Sequence, residues 1–213
     1  IRGAYHFFRP EIDPVAQADF FVATAGVPQK GDLPLALDLE VTDNLAGAAV
    51  STAALAFLAR VQADSGRVPV VYTSASFWTT IGSPPATGYD ADALWVAHWT
   101  TKCPNLPPAW PSWRFWQNSS TGTVPGISGS ANVDLDQFNG SLAALQGYVD
   151  GPDGGSDGGS DGGSPATDGG VDGGGPPPGR HGGCALAGAP AASGAWILGI
   201  LLLLACRRRA PGW

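Results

Sequence analysis

The sequence predicts an α/β fold built around a mostly parallel sheet. Short apolar segments alternate with helix-like segments over roughly the first 100 residues, and this alternation is typical of parallel strands joined by covering helices. Beyond that point two more strand-like segments follow with little helix between them. We therefore expect a barrel-like sheet that is parallel at its start and irregular at its end.

Six segments have the apolar and aromatic composition of β-strands. They cover residues 2–8, 33–40, 68–74, 93–100, 112–120 and 132–140. A barrel of alternating strands and helices generally contains eight strands. Because the chain opens directly on a strand and contains no methionine, we expect that the first two strands of such a barrel are missing from it.

The helices are predicted from their end signals. The first has Asp13 as a candidate N-cap, Pro14 at its first helical position and Gly26 after its end. The second is Ala-rich, covers residues 45–66 and also ends on a glycine. Shorter helices are expected after residues 74 and 140.

Composition limits the classes of partner. The 213 residues include 11 Lys+Arg and 18 Asp+Glu, which gives a net charge of −7. Phosphate contacts need clustered basic side chains, so the acidic balance argues against a nucleic-acid partner. The three cysteines form no Cys/His cluster with zinc spacing, and we expect neither a metal nor a cofactor.

The composition changes twice beyond the predicted globular domain, which covers residues 1–147. Residues 148–183 are nearly all Gly, Asp, Pro and Ser and include the repeat DGGSDGGSDGGS. Such a segment cannot bury a core, so we expect a disordered linker. Residues 184–213 contain an apolar run followed by Arg207–Arg209. This pattern predicts a membrane helix with a cytoplasmic arginine end, which would anchor the domain at the cell surface.

The segment LPLALDLE places two acids, Asp38 and Glu40, at the end of an otherwise apolar strand. Strand side chains alternate with a period of two, so both carboxylates point to one face while Leu37 and Leu39 point to the other. In a barrel the first face is the interior, and active sites lie at the carboxyl ends of the strands. Two such acids can supply the proton donor and the anion that glycoside cleavage requires.

Two other roles are open for this acidic pair. Acids at the start of a loop can cap the next helix, although Asp43 and Asn44 are better placed to do so. Acids can also bind Mg²⁺ or Ca²⁺, although no ligand-rich loop lies nearby in the sequence.

Other strands carry side chains that fit the same site. Asp134 and Asp136 share one face of the last strand. Tyr5 and His6 are strand neighbours that face opposite ways, so at most one of them lies in the site. Since aromatic rings stack well on sugars and polar groups fix their orientation, the candidate substrate-binding residues are Tyr5, Tyr72, Trp99, Trp116 and Gln117.

The motifs GAYHFF, LALDLE, PVVYTS, LWVAHW and WRFWQNSSTGTVPGISGSANVDLDQFNG occur together and in this order. In them the chain resembles family 25 of the glycoside hydrolases over about residues 1–147. The resemblance implies an irregular (β/α)5β3 barrel that hydrolyses peptidoglycan as an N-acetylmuramidase. It implies Glu40 as the general acid, Asp38 as the group that stabilises the reacting sugar or steers its N-acetyl group, and Asp134 as the acid of the last strand. The family also has an Asp on its first strand, and we expect that this Asp belongs to the missing strands.

The tail resembles the C-terminal sorting signals of myxobacterial surface proteins, in which Cys184 would be the processing point. Together the two resemblances imply a surface-tethered lysozyme. Two alternatives stay open. One is a non-catalytic module that binds peptidoglycan, and the other is a chitinase-like hydrolase, because chitinases also carry a D-x-E strand end.

Overall fold

The structure is a computed structural model that describes residues 1–127 and 133–151, together with the backbone of 202–205. The strands are β1 (Arg2–Phe7), β2 (Ala36–Asp38), β3 (Val70–Thr73), β4 (Ala93–Ala97), β5 (Phe115–Gly122), β6 (Val133–Phe138) and β7 (Leu202–Ala205). The helices are α1 (Pro14–Ala25), α2 (Gly47–Ser65), α3 (Ala75–Thr80) and α4 (Leu142–Asp150). All strands belong to one curled sheet in the order β6-β5-β4-β3-β2-β1-β7.

The strand directions agree with the predicted change along the sheet. Neighbouring strands from β1 to β5 pair in parallel, whereas β5 and β6 pair antiparallel with two register shifts. A parallel pair needs a long crossover, while an antiparallel pair needs only a short loop. The segment between β4 and β5 is long enough for a crossover, whereas β5 ends at Gly122 and β6 begins at Val133, so the shorter connection agrees with the change of direction.

The helix ends follow the predicted signals. Asp13 caps α1, because its carboxylate accepts a 2.8 Å hydrogen bond from the backbone N–H of Ala16. Pro14 is the first residue of α1, where the missing N–H costs nothing. The second helix, α2, ends at Gly66, which adopts a left-handed conformation that suits glycine.

The two faces of the sheet bury separate apolar clusters. The outer face packs against α1, α2 and α3, and its strand residues are Leu37, Val71, Leu94, Val96 and Trp116. The inner face carries the alternate residues of the same strands, namely Ala36, Val70, Trp95 and Phe115. The alternation predicted from the sequence thus separates a helix-covered face from an inner face.

The helix α4 covers the inner face near the amino ends of the strands. Its residues Tyr148 and Val149 are buried in the inner cluster. The buried guanidinium of Arg67 donates to the carbonyl oxygens of Tyr148 at 2.9 Å and of Asp32 at 2.8 Å, which ties α4 to the sheet. The helix extends past the predicted domain boundary at residue 147, because these two apolar residues complete the core. The opposite end of the inner face carries the predicted acids.

Within the predicted tail, residues 184–213, the structure describes the backbone of four residues. The backbone of Leu202–Ala205 forms β7, which lies parallel to β1, whereas the sequence predicts a membrane helix over the same residues. The remainder of the predicted anchor, and the linker from residue 152, lie outside the described residues. Among the described helices, none has the length and apolar character needed to cross a bilayer. The membrane helix and the disordered linker are therefore not confirmed.

Candidate active site

The two acids of the LALDLE motif lie at the carboxyl end of β2 in different surroundings. Asp38 is the last residue of the strand and is 7% exposed. The strand is shorter than predicted, so Glu40 lies in the following loop, where it is exposed to solvent. Leu39 separates them; its side chain is fully buried in the outer cluster and its N–H donates to the carbonyl oxygen of Tyr72 at 2.9 Å. The structure thus presents one buried and one exposed carboxyl group at the same strand end.

Tyr72 lies at the centre of the candidate site. It is the register partner of Asp38 on β3, and its ring lies edge-on to Trp95 at 5.0 Å. The pKa of its phenol is raised above the ordinary value, first by burial and then by the negative charge of surrounding acids. The acids that act on this phenol are Asp38, Glu40, Asp134 and Asp136. The geometry agrees with this, because the Tyr72 hydroxyl bonds Gln117, and Gln117 is the register partner of Asp136 on β6.

Gln117 connects two of the predicted substrate-binding residues. Its side chain is buried, and its Oε1 accepts a 3.0 Å hydrogen bond from the hydroxyl of Tyr72 and another of 3.0 Å from the indole Nε1 of Trp99. Trp99 is 65% exposed. A tryptophan that is held at its nitrogen while its ring stays in solvent is suited to stacking on a sugar.

The acids of β6 are held in surroundings that favour their protonated forms. The indole Nε1 of Trp95 donates a 2.6 Å hydrogen bond to Oδ1 of Asp136. Burial raises the pKa of Asp136 to about 6; the bond from Trp95 opposes this shift and the nearby charge of Asp134 adds to it. Asp134 is exposed on β6, and partial desolvation of its carboxyl group also raises its pKa. An unfolded aspartate would be fully ionised at pH 6, whereas Asp136 is still partly protonated there.

Trp116 lies on the opposite face of β5 from Gln117, and its predicted role in substrate binding stays a prediction. Its side chain packs in the outer cluster, and its Nε1 donates a 2.7 Å hydrogen bond to the carbonyl oxygen of His98. The reason is the alternation of strand side chains, since Gln117 is its immediate neighbour and points to the inner face. The sequence rule that separates Tyr5 from His6 also places Trp116 and Gln117 on opposite faces of their strand.

Tyr5 and His6 face opposite ways, as predicted. Tyr5 packs against the inner cluster and pairs in register with Ala36, whereas Phe7 is the partner of Asp38. Tyr5 therefore lies on the correct face but two residues before the level of the acids. His6 is buried on the outer face, where its ring contacts Phe21 and Phe57.

One contact in the site was not predicted. The sequence places Trp95 and Trp99 in one phase of β4, but nothing in it indicates that Trp95 donates to Asp136, which lies 41 residues further along the chain. The signal that bears on this contact is the periodicity of the two strands, which puts both side chains on the inner face. Their hydrogen bond depends on the register of β4, β5 and β6.

A metal site is the alternative use of these acids. Within the two described stretches of the domain, no three His, Cys, Asp or Glu side chains are grouped so that they could hold a metal ion. The arrangement instead offers a buried carboxyl group beside an exposed one, with hydroxyl, amide and indole groups around them. Such pairs can divide the roles of proton donor and anion in acid-assisted cleavage of a glycosidic bond.

Comparison with known proteins gives one family. The model of "Glycosyl hydrolases family 25" matches residues 1–127. The chain is 40% identical over 154 residues to Lysozyme M1 of Streptomyces globisporus, covering 68% of this chain and 52% of that protein. It is 33% identical over 149 residues to the N,O-diacetylmuramidase of Chalaropsis sp, covering 65% and 70% respectively. The chain spans about half the length of the bacterial relatives it matches.

A solved structure has the same fold. The crystal structure of the bacterial lysozyme from Streptomyces coelicolor superposes with a TM-score of 0.64 at 38% sequence identity. The match covers 70% of this chain and 72% of that lysozyme. The curled mixed sheet of this chain is therefore that of the matched lysozyme over most of both molecules.

Proposed function

This chain belongs to family 25 of the glycosyl hydrolases, and we propose that it is a lysozyme. Its substrate is the glycan strand of peptidoglycan, and the bond cleaved is the β-1,4 bond between N-acetylmuramic acid and N-acetylglucosamine. The observation that carries the proposal is the cluster at the carboxyl end of the sheet. There Asp38 lies level with Tyr72. The Tyr72 hydroxyl bonds Gln117, which is the register partner of Asp136 on β6. The names of the relatives, a lysozyme and an N,O-diacetylmuramidase, support the same substrate.

We assign the general acid to Glu40 and the stabilising anion to Asp38. Glu40 is exposed, as a group that protonates the oxygen between two sugars of a long polymer must be. Asp38 is largely buried behind it, where a fixed negative charge acts strongly on a developing oxocarbenium ion or on the N-acetyl group of the reacting sugar. Asp134, exposed on β6, is the third acid of the proposed site.

The groups proposed to bind the substrate are Tyr72, Gln117 and Trp99. The Tyr72 hydroxyl and the Gln117 amide lie among the acids and can meet the polar groups of the reacting sugar. Trp99 offers an exposed ring for a neighbouring sugar. Tyr5 lies on the same inner face, level with Ala36 and two residues before Asp38.

A non-catalytic module that binds peptidoglycan is a weaker proposal. A surface that only holds sugars has no use for a carboxyl group buried as deeply as Asp38, and burying such a group lowers stability. The exposed ring of Trp99 fits either role. The acids therefore favour an enzyme.

The proposal also includes a surface location, with residues 148–183 as the linker and 184–213 as the membrane anchor. It is supported by the apolar run before Arg207–Arg209. Part of the same tail, Leu202–Ala205, pairs with β1 as the strand β7, and this is the competing role for the tail. Deleting residues 184–213 should release the protein from the membrane fraction without lowering its thermal stability. A drop in melting temperature with unchanged fractionation would assign the tail to the sheet instead.

The experiment that tests the activity identifies the new reducing end. Purified peptidoglycan and chitin oligomers are incubated with the full chain, and the products are reduced with borohydride before acid hydrolysis. Cleavage by a lysozyme exposes the reducing end of N-acetylmuramic acid, which borohydride then reduces, so that muramic acid is recovered as its alcohol. Appearance of the glucosamine alcohol alone, or cleavage of chitin without cleavage of peptidoglycan, would contradict the proposed substrate.

A further inference from the structure

The loop that carries Glu40 has an unusual backbone. After Leu39 the chain leaves the sheet, and α2 begins at Gly47. Two residues of this loop, Asp43 and Asn44, have φ angles of 48° and 63°, in the left-handed region that few residues other than Gly, Asn and Asp adopt. Such a conformation persists when surrounding contacts hold it in place.

Arg9 provides such a contact. Its Nε donates to both carboxylate oxygens of Asp43, at 2.9 Å and 3.0 Å, and its Nη2 lies 2.7 Å from Oδ1. The backbone N–H of Glu11 makes a further, longer bond of 3.4 Å to Oδ2 of Asp43. The carboxylate side chain of Asp43 is only 6% exposed, and its contact with Arg9 lowers its pKa. The pair is therefore charged throughout the neutral range.

Arg9 is itself fixed by α1. The buried amide of Gln17 accepts a 3.0 Å bond from the backbone N–H of Arg9 and donates a 2.9 Å bond to its carbonyl oxygen. The same amide nitrogen donates to the carbonyl oxygen of Ile12 at 3.0 Å. Through Arg9, a rigid helix therefore holds the β2–α2 loop.

We propose that Arg9 and Asp43 are positioning residues for Glu40, an inference that rests on the proposed function. Glu40 lies between two fixed points: Leu39, bonded to β3 and fully buried, and Asp43, bonded to Arg9. Three residues separate these points along the chain, so little freedom is left to the backbone at Glu40. The Arg9–Asp43 pair thus sets where the exposed acid meets the glycosidic oxygen.

The test compares ion-pair variants in the full chain. Arg9→Gln and Asp43→Asn should each lower kcat on peptidoglycan by roughly 10-fold or more with KM within about twofold, because a displaced acid slows proton transfer more than binding. Asn is chosen at position 43 because it tolerates the left-handed backbone. Arg9→Lys retains the charge and should recover part of the rate.

Arg60→Gln is the matched control. Arg60 is 43% exposed against 45% for Arg9, and it bonds Asp19 at 2.6 Å and Asp64 at 2.9 Å on the helical side of the molecule. This variant removes ion pairs of an equally exposed guanidinium group, although the partners Asp19 and Asp64 are 50% and 28% exposed against 6% for Asp43, and it should leave kcat unchanged. Equal losses of rate in both variants, or none in either, would overturn the proposal.

A second measurement separates this inference from the activity itself. Amide hydrogen exchange of residues 40–45 should accelerate in Arg9→Gln and stay unchanged in Arg60→Gln. If the wild-type chain releases no reducing ends, the proposed function fails, while this result still shows whether Arg9 holds the loop. Unchanged exchange in Arg9→Gln would overturn the positioning role whatever the activity.

Discussion

Asp38 and Glu40 are two residues apart, yet their surroundings differ because the strand ends between them. Asp38 keeps the alternation of β2 and lies on the inner face, whereas Glu40 follows the last sheet contact made by Leu39. Gln117 and Trp116 show the same principle in a strand that continues, since they point to opposite faces. Which side chains face the site, and which of them are exposed, thus depends on the two-residue period of the strand and on the residue at which the strand ends.

The pH dependence of stability should reflect Asp136. Its pKa is raised by burial from 3.8 to about 6, so the folded protein holds this proton more tightly than the unfolded chain. The contribution of protonated Asp136 to the free energy of unfolding is fully present below about pH 4 and is lost as the pH rises through about 6. A shift of this size corresponds to on the order of 1–3 kcal/mol.

Asp136→Asn keeps an oxygen for Trp95 and removes the titrating group. We expect the free energy of unfolding, measured in urea between pH 4 and pH 7, to fall less steeply with pH in this variant than in the wild type. Burial also raises the pKa of Asp92, to about 7, so Asp92 contributes to the same pH dependence. The effect of Asp136→Asn is therefore also measured in a protein that carries Asp92→Asn. Equal slopes in the wild type and Asp136→Asn would contradict the account.

At the element scale, the position of α2 depends on its first residue. A Cβ placed on Gly47 would overlap the backbone of Ile81, whose Cα would lie only 2.8 Å away. Ile81 is the buried residue that ends α3. Gly47 therefore allows the start of α2 to lie directly against the end of α3, next to the loop that carries Glu40.

Gly47→Ala should destabilise the domain by roughly 2 kcal/mol or more, because backbone must move to admit the methyl group. The matched control is Gly147→Ala, inside α4, where an added Cβ meets no atom within 4 Å. This second change should stabilise the domain by about 0.5–1 kcal/mol through helix propensity. The free energy of unfolding of both variants is measured in urea. Similar effects of the two substitutions would contradict the close approach of Gly47 to the backbone of Ile81.

Over the whole molecule, the sequence predicts the elements better than their contacts. The order of strands and helices, the cap at Asp13 and the irregular end of the sheet follow from local chemistry. The bonds from Trp95 to Asp136 and from Arg9 to Asp43 join residues 41 and 34 positions apart, and they depend on strand register and loop conformation that no local pattern encodes. The tail shows the limit of composition, because Leu202–Ala205 suit either a membrane helix or the strand β7.

The most direct test of the account compares the wild-type chain with Glu40→Gln on purified peptidoglycan. Glutamine has the shape of glutamate but cannot donate the proton that the leaving oxygen needs. We expect the release of reducing ends to fall by roughly 100-fold or more, while sedimentation with insoluble peptidoglycan stays unchanged. Release at the wild-type rate by Glu40→Gln would contradict the assignment of the general acid, and binding without release by the wild-type chain would identify a binding module instead.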